Sequence, residues 1–372
     1  FESGSSWNAV LRDREQAYPA DLYLEGSDQH RGWFHLSLLP ALGVTQRSPY
    51  KQLVTHGFIV DKEGRKMSKS GGNALNVEDL LRDYGAEVTR WWVSSLAFEN
   101  DIKVDASFFD IAGDGYRKIR NTLRFLLSNL SDLPKVDMTA LPDLLACIPD
   151  TDVDAYVLGR LDAVTASVRA AYEGYHFKAA HKALYDFCND DLSSFYCTVV
   201  KDRLYCDAPS SDRRRQTQRT MWMIVYRLCR LLAPILPHTA DEAFSALLGE
   251  PSYVLLSQDL SFSVTVSSSW ESVFEFRSQC LKMLEDAKSN GLENPLDAGI
   301  QCPPNDVLDR HSNELADICG VSRVDFVGES MTVMDLTKDP RCERSWRRDA
   351  TVKQRSNGSF LSDRDAQVVG VT

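Results

Sequence analysis

The amino-acid sequence predicts an α/β segment, then an all-α antiparallel bundle, then a small mixed α/β module. Three observations carry that reading. From Asp21 onward, "DLYLEG" alternates apolar and polar residues, "HRGWFHLSLLPAL" has helical spacing and "QLVTHGFIV" is β-rich, which is the strand, helix, strand rhythm of a parallel sheet. From Tyr116 to Leu231 apolar residues recur at helical spacing. After Ser257 the composition shifts to a Ser/Thr/Val stretch, a helix near Trp270 to Ser289, short mixed segments and a polar, Arg-rich tail.

Taken in order, "NVEDLLRDYGAEVTRWWVSSL" follows the first sheet segment and reads as helix, break, helix. Asn76 is its cap, with Glu78, Asp79 and Asp83 early in the first helix. The bundle stripes run Tyr116, Ile119, Leu123, Leu126, Leu127, Leu130; Leu161, Val164, Val168, Ala171; Phe177, Ala180, Leu184, Phe187, Phe195; and Met221, Ile224, Val225, Leu228, Leu231. Connectors at "SDLPKVD", "DAPSSD" and "APILPH" separate the helices. These shifts divide the chain into segments 1–107, 108–257 and 258–372.

With 372 residues, 43% of them hydrophobic, the chain has material for two or three domains. No apolar run is long enough to cross a bilayer, and the first residues lack the pattern of a signal or transit peptide. The start at Phe1 rather than Met points to a fragment. Nine cysteines without tight spacing suit reduced thiols of a cytosolic protein. A net charge of −11 argues against indiscriminate polyanion binding, so any nucleic-acid contact has to come from local basic patches.

The stretch "GRKMSKSGGN" holds the chemistry of an anion loop. Gly71 and Gly72 free the backbone to turn amides toward an oxyanion, and Lys66 and Lys69 are mobile point charges, so phosphate is the natural counterpart. A plain solvated turn is the alternative. In "DLYLEGSDQHRGWF", Glu25, Asp28, Gln29 and His30 stand where a parallel strand ends, the place where such sheets bind ligands. A carboxylate and an amide there can accept from an α-ammonium group or a ribose hydroxyl. A capped strand-to-helix turn, with Ser27 or Asp28 as the cap, accounts for the same residues.

Basic clusters offer RNA surfaces. "YRKIRNTLR" carries Arg117, Lys118, Arg120 and Arg124, and "SDRRRQTQR" carries Arg213, Arg214, Arg215 and Arg219. Solvated helix faces are the competing explanation. Between Lys338 and Arg355, seven Lys/Arg stand against three Asp/Glu, a local charge of +4 that includes Arg347.

The pentapeptide Lys66–Ser70, "KMSKS", resembles the signature of class I aminoacyl-tRNA synthetases. "DLYLEGSDQHRGWF", with "FESGSSW", "LVTHGF", "YRKIRNTLRFLLSNL", "KDRLYCD" and "LLAPILPHTADEAF", resembles the isoleucyl branch of that class, bacterial or organellar type, over essentially the whole chain. The resemblance implies the second half of a Rossmann-like nucleotide-binding fold in 1–107, a helical anticodon-binding bundle in 108–257 and a C-terminal module in 258–372. It also implies catalytic roles for Lys66 and Lys69, ATP contact by Lys69, Ser68 and Met67, and contact with the aminoacyl-adenylate by Glu25, Asp28 and Gln29. Arg117, Lys118, Arg120, Arg213, Arg214, Arg215 and Arg347 are the candidate tRNA contacts. The implied substrates are isoleucine, ATP with Mg²⁺ and the isoleucine tRNA, handled by a full-length monomer in the cytoplasm or an organelle.

Two features depart from that pattern. Relatives of this type often end in two CxxC pairs that hold zinc, but here "RCERSW" and "FLSDRDAQVV" keep only Cys342, with Ser345, Ser362 and Asp365 at the other three positions; no metal is expected. The sequence also contains no "HIGH" motif and no editing domain, so this chain by itself is expected to be inactive. A valyl or leucyl type, or a non-catalytic tRNA-binding module, are the alternatives.

Overall fold

The computed structural model describes residues 2–14, 18–61, 63–65, 67, 76–260 and 262–372. The chain packs as two units, Phe1–Asp114 and Gly115–Thr372.

In the first unit, β1 (Ala20–Gly26) and β2 (Tyr50–His56) run parallel and are joined by the crossover helix α1 (Trp33–Thr45). Their register sets Ala20 against Tyr50, Glu25 against Thr55 and Gly26 against His56. Tyr23 is buried and stacks on Trp33, with ring centroids 4.2 Å apart and planes 9° from parallel. Phe34 and Ala41 of α1 are buried in the same unit. A slip of one residue would turn Tyr23 to the other face, so this aromatic burial pins the register. Downstream, β3 (Ile59–Val60) pairs in parallel with β4 (Ile102–Lys103). Helix α2 (Val77–Asp83) starts at Asn76, whose side chain accepts from the Glu78 N–H at 3.1 Å, as the sequence predicts. Helix α3 (Gly85–Ser94) buries Val88, Trp91 and Trp92, and Trp92 lies 4.6 Å from Phe109 in α4 (Ser107–Ser128).

In the second unit, the rest of α4 is followed by α5 (Leu141–Ala146), α6 (Val153–Glu173), α7 (Phe177–Asp186), α8 (Cys197–Val199), α9 (Lys201–Tyr205), α10 (Asp212–Leu232) and α11 (Pro237–Leu248). Helix α10 is the axis of the bundle. From Thr217 to Leu232 it is buried all round apart from Arg219 and Arg230, as a helix enclosed by others must be. Val157, Leu158, Leu161 and Val168 supply the buried face of α6.

Between α7 and α8, residues Phe187–Tyr196 wind as a π-helix, where the apolar spacing alone reads as uninterrupted α-helix. The wider turn accompanies burial of Phe187, Leu192, Phe195 and Tyr196 together.

Beyond the bundle, α12 spans Trp270–Ser289. The central strand β5 (Ala298–Cys302) pairs in parallel with β6 (Arg323–Phe326) and antiparallel with β7 (Thr332–Asp335). Helices α13 (Asp306–Asp309) and α14 (Ser312–Cys319) link β5 to β6. The tail forms the short hairpin of β8 (Lys353–Gln354) and β9 (Phe360–Leu361), then α15 (Asp363–Val369), over a small core of Cys342, Val352, Leu361 and Ala366. All nine cysteines are free thiols, eight buried and Cys147 exposed. Among the described residues, no helix is long and apolar enough to cross a membrane.

Candidate functional site

Glu25 and Asp28 are exposed at the C-terminal end of β1, the end at which parallel sheets bind ligands. The residues that follow the strand turn as a short 3₁₀ segment, Ser27–Arg31, which carries Asp28. Gln29 is engaged differently. Its Oε1 accepts the Trp33 N–H at 2.9 Å and its Nε2 reaches Asp28 Oδ2 at 3.4 Å. The cap that local sequence assigns to Ser27 or Asp28 thus belongs to Gln29, whose longer side chain spans four positions to the first turn of α1. Gly26 packs against Phe58, so the end of β1 lies beside the segment that carries the chain into β3. At Gly57 a Cβ atom would come within 2.2 Å of the Asn100 backbone, an approach that only glycine allows.

Directly after β3, Asp61 organises the stem of the cationic loop. Its buried carboxylate accepts the N–H groups of Glu63 and Arg65 at 3.1 and 2.8 Å and the Arg65 Nε at 2.9 Å. The Asp61 N–H donates to the Arg65 carbonyl and the Gly64 N–H donates to the Asp61 carbonyl, each at 2.9 Å, with Gly64 at φ +84°. Asp61 thus ties the loop base to the end of the strand. Sequence motifs alone miss it, although an Asp three residues before a Gly is a turn signal. Met67 is half-buried beyond this stem; Lys66, Ser68 and Lys69 lie outside the described residues.

The two basic clusters of the second unit differ. On α4, Arg117, Lys118, Arg120 and Arg124 are all exposed. Lys118 donates to Tyr185 Oη at 3.1 Å and Asn189 Oδ1 at 3.0 Å. Arg120 and Arg124 have no ion-pair partner among the described residues. They flank a groove of about 470 Å³ with Leu123, Leu127, Glu242 and Ala243.

On α10, Arg213 pairs with Asp207 at 2.9 Å and Asp202 at 3.3 Å. Arg214 forms a fork with Asp132 at 2.6 and 3.0 Å, and Arg215 donates to the Asp132 carbonyl at 2.7 Å. The hydrogen bonds from Arg214, first among the causes, hold the Asp132 carboxyl down to about 2. These three half-buried guanidinium groups are thus each paired within the chain. Arg347 is likewise turned inward to Asp317 and to Asp202, the latter at 3.6 Å.

Its neighbour Trp346 is 59% exposed at φ +63°, with the Arg341 guanidinium 4.9 Å from its ring centroid. A bare aromatic ring with a stacked cation is a surface on which a nucleic-acid base can stack. Charge counting along the sequence misses it; the signal is a lone Trp inside the basic run.

The motif "KDRLYCD" has a structural basis. Arg203 of α9 is fully buried and faces Asp152 at 3.3 Å, Asp154 at 3.6 Å and Glu314 of α14. Asp154 also accepts from Tyr196 at 2.6 Å and from Gln216 and Thr217 at 3.0 Å. Three carboxylates share this one guanidinium, and burial, reinforced by the neighbouring carboxylates, pushes Asp154 up to about 6 and Glu314 up to about 8.

In the tail, Cys342, Ser362 and Asp365 converge and are buried, while Ser345 is half-buried. Cys342 Sγ donates to Asp365 Oδ2 at 2.9 Å and Ser362 Oγ donates to the same oxygen at 3.2 Å. Arg364 donates to Asp365 Oδ1 at 3.1 Å.

Comparison with known proteins identifies the family. Residues 1–105 match the family of class I tRNA synthetases (I, L, M and V), and residues 154–296 match the anticodon-binding domain of tRNA ligases. An isoleucine–tRNA ligase of Streptococcus thermophilus is 37% identical over 99% of this chain and 42% of its own length. Those of Streptococcus agalactiae and Streptococcus pyogenes are 37% and 36% identical with the same coverage. The chain thus spans about 42% of the length of these curated relatives. Among solved structures, an Agrobacterium radiobacter LeuRS in ternary complex with tRNA and LeuAMS aligns with 67% of this chain and 31% of its own, at 21% identity and a TM-score of 0.50. A Mycobacterium tuberculosis methionyl-tRNA synthetase bound by methionyl-adenylate aligns with 68% of this chain and 50% of its own, at 19% identity and a TM-score of 0.51. These two support the fold. With the strand-end carboxylates, the anchored loop stem and the helical bundle in place, the chain belongs to the class I aminoacyl-tRNA synthetases, as a region of the isoleucine–tRNA ligase type.

Proposed function

We propose that this chain is the C-terminal part of an isoleucine–tRNA ligase: residues 1–107 the second half of the nucleotide-binding fold, 108–257 the anticodon-binding bundle and 258–372 a C-terminal module. The reaction is attack of the isoleucine carboxylate on the α-phosphate of ATP, giving isoleucyl-adenylate and pyrophosphate. Transfer of the acyl group to the terminal ribose of the tRNA follows. ATP enters as its Mg²⁺ complex.

The observation that carries this reading is the continuity from the β1 and β2 strand ends into the Asp61 stem. Glu25 sits opposite Thr55, and the same chain reaches Asp61 six residues later, at the root of the lysine loop. In this reading Glu25 and Asp28 hold the amino acid or ribose side of the adenylate, and Gln29 supports them by fixing α1. Lys66 and Lys69 supply fixed positive charge where pyrophosphate departs, which favours the transition state over the ground state. Ser68 and Met67 place them against ATP. The "HIGH" half of the site is absent from these 372 residues, so activation needs the rest of a relative-length protein.

RNA contact is assigned to Arg117, Lys118, Arg120 and Arg124, which are exposed along α4, and to the Arg341–Trp346 pair. Arg213, Arg214, Arg215 and Arg347 serve the fold instead.

The test is isoleucine-dependent ATP–pyrophosphate exchange in the relative-length protein. Lys69→Ala is expected to slow exchange roughly a hundredfold or more while leaving tRNA binding nearly intact. Unchanged exchange would refute the assignment of the loop.

A further inference from the structure

A structural zinc site of the family kind places a cation at the centre and converges deprotonated thiolates on it. The residues at the corresponding positions do not fit that ion. Only Cys342 offers a thiol, Asp365 offers one carboxylate, and Ser345 and Ser362 offer neutral hydroxyls, which are weak zinc ligands. Among the described residues no group of three or more His, Cys, Asp or Glu side chains is arranged to hold a metal ion.

The hydrogen bonds show the polarity of the cluster reversed. An anion, the Asp365 carboxylate, lies at the centre, and hydrogen donors surround it: the Cys342 thiol at 2.9 Å, the Ser362 hydroxyl at 3.2 Å and the Arg364 guanidinium at 3.1 Å. Asp365 has no solvent exposure, so an unsatisfied carboxylate there would be costly; three donors on its two oxygens satisfy it. Ser362 has a second task, because its Oγ accepts the Asp365 N–H at 3.2 Å and caps α15.

The linkage runs onward. Arg364 also grips Asp202 of α9 at 2.5 and 3.1 Å, and Asp202 takes Arg213 of α10 at 3.3 Å and Arg347 at 3.6 Å. Cys342 and Arg347 bracket the turn whose Arg341 and Arg348 form an antiparallel bridge and whose tip is Trp346.

We propose that the C-terminal module is a metal-free fold in which the buried Asp365 carboxylate gathers Cys342, Ser362 and Arg364, doing the cross-linking a zinc tetrathiolate would do. Through Arg364 and Asp202 this pin fastens the tail to the helical bundle and holds the 341–348 turn with Trp346 outward.

Two measurements on the full chain test this. The first is elemental analysis of protein produced in zinc-supplemented medium. The second is the rate at which iodoacetamide modifies Cys342, followed by mass spectrometry with and without a zinc chelator. The parent protein is expected to carry no stoichiometric zinc and to protect Cys342 equally in both conditions. Asp365→Ala is expected to speed modification of Cys342 roughly tenfold or more, since the thiol loses its buried acceptor, and the near-isosteric Asp365→Asn, which keeps one acceptor oxygen but loses the charge, to speed it less. One zinc per chain, or a parent Cys342 that the chelator uncovers, overturns the metal-free fold. An Asp365→Ala protein whose Cys342 stays as protected as the parent's overturns the pin. Should the variants fail to fold, the parent's zinc content and chelator response decide the metal-free fold, and Ser362→Ala, expected to speed Cys342 modification by loosening the same carboxylate, decides the pin.

Discussion

Replacing Arg203 with methionine is the sharpest test of how the second unit is held together. The side chain is fully buried and connects α9 to Asp152 and Asp154 around the start of α6 and to Glu314 of α14. Methionine fills a similar volume but leaves three carboxyl groups without their guanidinium. Asp154 keeps Tyr196, Gln216 and Thr217 as donors, and Glu314 keeps the Val153 N–H at 2.9 Å. The loss is therefore partly cushioned, and about 3–5 kcal/mol of unfolding free energy is expected, the usual cost of breaking a buried ionic group by removing one partner. Urea denaturation followed by circular dichroism measures it. Arg82→Met, which removes exposed pairs with Asp79 and Asp83 in α2, is the control and should leave the midpoint nearly in place. An Arg203→Met midpoint no lower than the control's would show that the buried cluster does not hold these helices together.

Two further outcomes are expected. Burial pushes the Glu314 carboxyl up to about 8 in the folded chain, against the pull of Arg203, above its ordinary value in the unfolded chain; the folded state therefore binds more protons in between, and this group's contribution to stability falls as pH rises through that window. The slope from this group is about 1.4 kcal/mol per pH unit. Glu314→Gln should flatten it in denaturation midpoints taken between pH 6 and 8.5, and an unaltered slope would place the proton elsewhere. If the proposed RNA contact along α4 holds, the double replacement Arg120→Ala and Arg124→Ala should reduce the slope of log affinity against log salt, measured with the isoleucine tRNA, by roughly 2, about one for each phosphate no longer neutralised. Arg214→Ala should leave that slope unchanged and lower stability instead; the reverse pattern, read by fluorescence anisotropy and thermal melts, would move the RNA face to α10.

Much of this architecture is legible locally. Alternation in "DLYLEG" and helical spacing in "HRGWFHLSLLPAL" correspond to β1 and α1, the Asn76 cap follows from its position, and α12 runs from Trp270 to Ser289 as the apolar spacing indicates. What sequence cannot show is partnership across distance. Arg214 and Arg215 look like part of a surface patch because Asp132 lies 82 residues from Arg214, and only the fold brings them together. The Cys342–Asp365 contact joins two segments whose composition suggests only a degenerate metal site. The π-helical winding of Phe187–Tyr196 is hidden because apolar residues at 187, 192 and 195 fit an ordinary helical face almost as well. Gln29 is legible as a strand-end polar group, but its capping role depends on how far its side chain reaches.

The burial of eight of the nine thiols has a practical side. Burial pushes Cys197 and Cys206 up to about 12 and moves Cys188 and Cys229 in the same direction, so the nucleophilic thiolate is scarce at each of them near neutral pH. Cys147, just past α5, is the exposed exception. A maleimide dye added briefly at neutral pH therefore finds one address on the native chain. The helical unit comes with its own labelling site, and binding or unfolding can be followed by fluorescence without removing a single cysteine.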